Sequence, residues 1–221
     1  GDVLTVSNVS ALFDSSHVST QLDGQGAVLA AGATQVAISG IALGGTDAGN
    51  YTVSPTQTIA ATIARRQVAI NSFSSADKTY DGGVTAGTTN YGTSLVAVSG
   101  VADSGLVAGE SIAFVPGIAT FADADAALGK LVTGSGLLGD GSRTLNGPDL
   151  LPGTADDIVL RFFASDYQFV NPTARAAITP KQISASFSLG AKTYDGTTQA
   201  VVASSDNPNP LTGDQPTAAA R

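Results

Sequence analysis

Cysteine is absent from this 221-residue chain, which excludes disulfides, thiolate metal sites and cysteine nucleophiles together. Glutamate occurs once, as Glu110, and histidine once, as His17, so a zinc site with four protein ligands hardly has the nitrogen and sulfur donors it usually takes. Charge is scarce as well: Asp, Glu, Lys and Arg make up 13% against roughly a quarter in an average globular protein. Helix surfaces usually carry Glu and Lys in pairs, and a chain with one glutamate and four lysines is poorly supplied for them. Basic residues are scattered except for Arg65 and Arg66, within a net charge of −8. No basic stripe can neutralise a run of phosphates, which argues against nucleic acid and anionic membrane surfaces as partners. Long apolar runs are missing too. AVLAAG from Ala27 and IVLRFF from Ile158 fall far short of the roughly 20 residues of a spanning helix, so no membrane insertion is expected. A chain without disulfides is compatible with a reducing or an oxidising compartment.

What fills the space is glycine, 26 residues of it, with abundant Ala, Val, Ser and Thr, and Asp for nearly all the acid. That mixture favours strands joined by turns in which Asp and Asn bond the backbone two residues on. Alternation predicts strands over 3–9, 34–43, 50–54, 58–64 and 66–73, then 93–100, 111–117, 130–136, 157–163 and 167–171. ADADAALGK near Asp123 is the one segment that suits a helical turn. The fold class expected is all-β, in tandem small β-sandwich or β-grasp-like modules arranged end to end.

The modular reading comes from internal repetition. The pentapeptide KTYDG stands at 78–82 and again at 192–196. Upstream of each copy the match continues: Tyr51 with Tyr167, Pro55 with Pro172, Ile63 with Ile178, Gln67 with Gln182 and Phe73 with Phe187. One complete module is expected at 65–179, with 1–64 as the later part of a first module and 180–221 as the opening part of a third. A chain divided in this way is expected of a segment from a longer array.

The string TFADADAALGK, followed by SDY, ITPKQI and KTYDGTT, and the tighter GTDAGNYT with ATI about a dozen residues later, resembles the YDG-type tandem repeats of large bacterial surface exoproteins. These are filamentous, haemagglutinin-like adhesins and biofilm proteins. The resemblance covers nearly the whole chain. It departs from the pattern at Ser165 and Asp166, where Gly and Asn are expected, and at an insertion over 139–157. It implies an extracellular, cell-surface, non-enzymatic stalk or fibre. The partners it implies are neighbouring copies of the module or chain, with glycans or a host or bacterial surface as the alternative, recognised through the inserted loop 139–157. Incomplete terminal modules would allow polymerisation, with 180–221 adding strands to the first module of another copy.

Residue by residue, the chemistry is thin. In KTYDG, Asp81 and Gly82 make a turn that Tyr80 anchors. The order Lys78, then Glu110 or Asp123, then Asp166 is that of adhesin modules closed by an intramolecular lysine-to-carboxylate amide bond, which needs a buried lysine and an assisting carboxylate. GSGLLG (134–139) matches a phosphate-cradling glycine pattern, but the Gly-, Asn- and Pro-rich stretch after it cannot continue as the required helix. Asp140, Asn146, Asp149, Asp156 and Asp157 are oxygen donors of the kind calcium prefers, without EF-hand spacing. His17 lies beside Asp14, Ser15 and Ser16, but neighbours in sequence do not make a triad. NVS at Asn8 and NYT at Asn50 fit the glycosylation sequon. No catalytic, cofactor-binding or metal-binding residue is assigned, and calcium in the inserted loop is the single cofactor alternative.

Overall fold

The computed structural model describes residues 1–7, 9–18, 20–22, 27–146, 148, 153 and 155–205. Asn8 and Asp149 lie outside the described residues, as does 206–221, part of the stretch expected to open a third module. The chain is nearly all β, with short strands and two three-residue 3-10 turns, Ala48–Asn50 and Ala164–Asp166, as its helical elements among the described residues. None of these is long and apolar enough to cross a membrane.

Two compact units divide the chain, each assembled from discontinuous segments. The first comprises Gly1–Asn71, Gly92–Gly117 and Gly136–Asn171; the second comprises Ser72–Tyr91, Ile118–Ser135 and Pro172–Arg221. Modules follow chain order and units follow packing, so the two divisions answer different questions.

In the first unit, Ser10–Phe13, Gln35–Ser39 and Thr56–Ala60 form an antiparallel three-stranded sheet with Gln35–Ser39 in the middle. Arg66–Ile70 pairs with Leu95–Val96 on one side and, in parallel, with Tyr167–Phe169 on the other. Its core gathers Val68, Ile112, Phe162 and Tyr167. Part of the insertion, Gly141–Leu145, forms a hairpin with Ile158–Phe162 over five register pairs, so the expectation of a loop throughout 139–157 is corrected there. Thr and Leu in GSRTL give that stretch strand character once a partner is supplied.

One sheet orders its strands as Lys78–Thr79, Thr173–Thr179, Ala127–Gly139 and Ala113–Phe121, and the second unit holds the last two up to Ser135 and from Ile118 respectively. Lys78–Thr79 runs parallel to Ile178 and Thr179; the other pairings are antiparallel where registers are assigned. Ala86, Ala119, Phe121, Val132, Ala176 and Ile178 are buried together, with Phe73 and Tyr80 packed against them. Burying one Val or Ile side chain contributes on the order of 2 kcal/mol, so the fully buried Val132 and Ile178 are the central residues of this core.

Three local expectations are corrected. Residues 51–54 are not a strand, because no strand among the described residues pairs with them, whereas the equivalent Tyr167–Phe169 has Arg66–Val68 beside it. Strand 93–100 shrinks to Leu95–Val96 because Ser104 folds the next segment into a turn, its hydroxyl bonding the Val98 N–H at 2.9 Å and the Val101 carbonyl at 2.8 Å. ADADAALGK is no helix. Asp123 Oδ1 accepts the Asp125 N–H at 2.9 Å, and that local bond competes with a helical turn.

Candidate functional site

Both KTYDG copies fold into one geometry, built around the lysine. Asp81 Oδ1 accepts the Gly83 N–H at 2.9 Å, closing an Asx turn that Gly82 completes at φ 78°. The Lys78 ammonium then donates to Asp81 Oδ1 at 2.7 Å, the Gly83 carbonyl at 2.7 Å and the Thr85 carbonyl at 3.0 Å. An ammonium has three N–H groups, and all are used. Its side chain is 9% exposed, and the Phe121 ring lies 5.7 Å away, within cation–π range. At the second copy, Asp195 Oδ1 accepts the Thr197 N–H at 2.9 Å with Gly196 at φ 73°. Lys192 donates to Asp195 Oδ1 at 2.8 Å and to the Thr197 and Gln199 carbonyls at 3.0 and 2.7 Å. Every partner is offset by the same number of residues from its lysine.

A third lysine uses the same device. Lys130 donates to Asp123 Oδ1 and to the Asp125 carbonyl, across the Asx turn that replaced the expected helix. Hydrogen bonds from these lysines hold the Asp81, Asp123 and Asp195 carboxyls below their ordinary range, with turn N–H bonds adding to the effect. These are structural ion pairs whose acceptors are largely backbone carbonyls.

The amide cross-link is not poised to form. Lys78 is satisfied as described, Asp123 is engaged by Lys130, and Glu110 Oε2 accepts the Tyr167 hydroxyl at 2.5 Å. Asp166 Oδ2 bonds His17 Nδ1 at 2.7 Å, and its Oδ1 accepts the Val18 N–H at 2.8 Å. Burial, then the bond to Glu110, pushes the Tyr167 phenol up to about 12.

His17 is therefore more than a loop residue. Its ring also meets the Phe163 ring edge-on at 5.0 Å. With Asp103, Arg66, Glu110, Asp166 and Tyr167 it lines a cleft of about 450 Å³ in the first unit. The His17–Asp166 pair resembles two members of a triad, but Ser15 Oγ accepts the His17 backbone N–H at 3.0 Å. Arg66 donates to the Gly105 and Ser104 carbonyls. Arg66, Glu110, Tyr167, His17 and Asp166 are thus engaged in cross-ties between segments. Both halves of this pair break the repeat: His17 is unique, and Asp166 replaces the expected Asn. Paired departures of that kind are the sequence signal that could have joined them.

The remaining candidates resolve into structure. Gly134 and Gly136 of GSGLLG lie inside the strand Ala127–Gly139. A Cβ on Gly134 would come within 2.9 Å of Phe73 and on Gly136 within 2.3 Å of Phe114, so aromatic packing requires these glycines. In the insertion, Asp140 Oδ1 accepts the Ala164 N–H at 2.8 Å and Asp157 Oδ2 the Gly153 N–H at 2.6 Å. No three acidic or histidine side chains gather as a metal site among the described residues. Asn50 is exposed at the end of its 3-10 turn.

Comparison with protein-family models, with curated proteins and with solved structures finds no match to this chain.

Proposed function

We propose that this chain is a structural repeat segment of a bacterial extracellular adhesin or fibre, a stalk or spacer rather than a catalyst. One observation carries the reading: the same lysine-locked KTYDG hairpin occurs twice with the same bonds, and in the first case it ties the opening of a module to its closing strand. Asp77 Oδ1 accepts the Ala177 N–H at 2.6 Å, and the Tyr80 N–H reaches the Thr179 carbonyl at 2.8 Å, across about a hundred residues of chain. Parallel pairing between opening and closing strands suits a module that bears load, because separating its ends requires the paired strands to part together. At the first copy the lysine and aspartate are engaged in the turn, and the tyrosine packs on the core.

A second reading has its own observation. Beside the inserted hairpin, Asp140, Ser142, Arg161 and Phe163 line a cleft of about 250 Å³, with polar groups and an aromatic side chain of the kind that recognise sugars. That supports a carbohydrate- or host-surface-binding module acting through 139–157.

Two measurements separate the readings. The chain is pulled end to end in a force spectrometer, and it is offered to glycan panels and cell surfaces alongside a variant lacking 139–157. A spacer unfolds cooperatively under force and binds no glycan. Saturable glycan binding that the deletion abolishes makes the second reading correct, and extension without a cooperative step rejects the spacer.

A further inference from the structure

The chain holds the same three-stranded sheet twice, and one of the two is closed. In the closed one, the segment 77–86 spans both outer strands. Lys78 and Thr79 lie parallel to Ile178 and Thr179, and at the opposite edge the Ala86 N–H reaches the Ala119 carbonyl at 2.9 Å and the Phe121 N–H the Val84 carbonyl at 2.7 Å. Tyr80 thereby covers the apolar face.

The sheet of Ser10–Phe13, Gln35–Ser39 and Thr56–Ala60 repeats the remaining three strands in order and register. The Asp14 N–H bonds the Gln35 carbonyl at 3.1 Å as the Ala122 N–H bonds the Leu131 carbonyl at 3.0 Å. Gln35 faces Ala60 as Leu131 faces Arg175. Matched in this register, Ala11, Phe13, Val36, Ala61 and Ile63 stand where Ala119, Phe121, Val132, Ala176 and Ile178 stand, with the same residue type at every place. The closing segment is what differs: Ser10–Phe13 and Thr56–Ala60 are edge strands here. Phe13 is 45% exposed where Phe121 is 3% exposed.

A matching closing segment is present in the same chain. Lys192–Ala200 reproduces the lysine-locked turn, and Ala200 follows its lysine at the same distance as Ala86 follows Lys78. It is presented by the hairpin Phe187–Leu189 with Val202–Ser205, as the first copy is presented by Phe73–Ser75 with Thr89–Tyr91. Its Tyr194 is 93% exposed. A second pair of unmatched segments agrees: Tyr167–Phe169 pairs in parallel with Arg66–Val68, while the equivalent 51–53 and 181–183 are in no strand.

We propose that the 10–60 sheet of one copy is closed by the Lys192–Ala200 segment of a second copy. The inference rests on the modular reading above and gives it a partner and a register. Lys192 and Thr193 lie parallel to Ile63 and Ala64, with the Tyr194 N–H on the Ala64 carbonyl. At the other edge the Ala200 N–H meets the Ala11 carbonyl, and the Phe13 N–H the Thr198 carbonyl. Tyr194 covers Ala11, Phe13, Val36 and Ile63, and strand addition of this kind satisfies open edges. The contact is heterologous, so repetition yields an open filament rather than a closed ring. Two bonds of the internal version are missing, because Ala191 replaces Asp77 and Ala64 replaces Thr179. The join between copies is therefore the weaker and more reversible one.

The test uses the absence of native cysteine. Ala64→Cys and Thr193→Cys chains are mixed under oxidising conditions beside the off-register pair Thr58→Cys and Thr193→Cys, and self-association of the parent chain is followed by sedimentation velocity. A cross-linked heterodimer is expected from the first mixture and not from the second. Tyr194→Ala should weaken self-association about tenfold or more, as removal of a central aromatic anchor does, and Ala191→Asp should strengthen it. Tyr194 is exposed, so its loss leaves the monomer folded. Equal cross-linking in both mixtures, or a monomer at every concentration, overturns the proposal. A rapid intrachain disulfide in a dilute chain that carries both Ala64→Cys and Thr193→Cys also overturns it, by making the occupant the chain's own segment. A synthetic 190–203 peptide that binds a chain remaining monomeric rejects the second copy as occupant. Glycan binding through 139–157 by a chain that still self-associates strikes the spacer reading and leaves this contact standing.

Discussion

The two KTYDG hairpins are one local structure in two surroundings. At each, the lysine collects the same set of acceptors and the aspartate closes the same Asx turn. Around the first, Tyr80 packs on a core and the lysine side chain is almost enclosed; around the second, Tyr194 and Phe187 face solvent. The turn is therefore specified by its own residues. Burial and strand pairing depend on whether a matching half-sheet is at hand. Local bonds fix the shape of the piece, and apolar burial decides how much stability its placement contributes.

Core truncation should separate the surroundings most strongly. Ile178 is buried in the closed sheet, and Ile178→Ala should cost about 2 to 5 kcal/mol, the usual range for a buried Ile truncation. Its half-buried equivalent Ile63 has less to lose, and Ile63→Ala should cost about 1 kcal/mol or less in the isolated chain. Urea unfolding followed by circular dichroism gives both values. Equal costs would mean that the 10–60 sheet is covered as fully as its counterpart, and the contrast between them would disappear.

Removing the ammonium gives a smaller effect. Lys78→Met keeps most of the apolar stem but strips a donor from Asp81 and from the Gly83 and Thr85 carbonyls in a nearly enclosed place. A loss of about 1 to 3 kcal/mol is expected for polar groups left without their partner. Lys192→Met removes the same bonds where water can replace them, and the unfolding midpoint should hardly move. If Lys192→Met proves as costly as Lys78→Met, the second hairpin has a covering that the isolated chain does not supply.

Much of this contrast was legible in the sequence, and the reasons for what was missed are physical. Repetition of KTYDG and the matching of Ile63 with Ile178 identified equivalent places, because spacing along the chain survives folding. Alternation found most strands but not Lys78–Thr79, a two-residue strand that exists through a parallel partner about a hundred residues away. Residues 51–54 failed for the converse reason, with strand composition and no strand partner among the described residues. His17 and Asp166 meet across 149 positions, a distance no local pattern encodes. The lysine's role was obscured because two of its three acceptors are backbone carbonyls, which leave no trace in side-chain identity.

Acid should produce the smallest effect and test whether the turns are equivalent as chemistry. Their lysine bonds hold Asp81 and Asp195 below the ordinary value of 3.8. A carboxyl depressed in the folded chain favours folding at pH above that ordinary value, and the contribution fades as pH falls through the lower, folded value. Both turns should therefore be intact at neutral pH and loosen only below about pH 3.8, the carboxylate range. Both carboxyls are exposed, so solvent screening keeps the effect modest. Carboxyl carbon shifts followed by NMR should give two similar, depressed titrations. The consequence should differ: protonating Asp81 disturbs a hairpin tied to Thr179, and amide exchange at Tyr80 should accelerate with it, whereas in the dilute monomer Tyr194 should exchange freely throughout. Slow exchange at Tyr194 that sets in as the chain is concentrated, and is lost in the same acid window, would mean that its N–H has found the carbonyl of a second copy, and that both hairpins close a sheet.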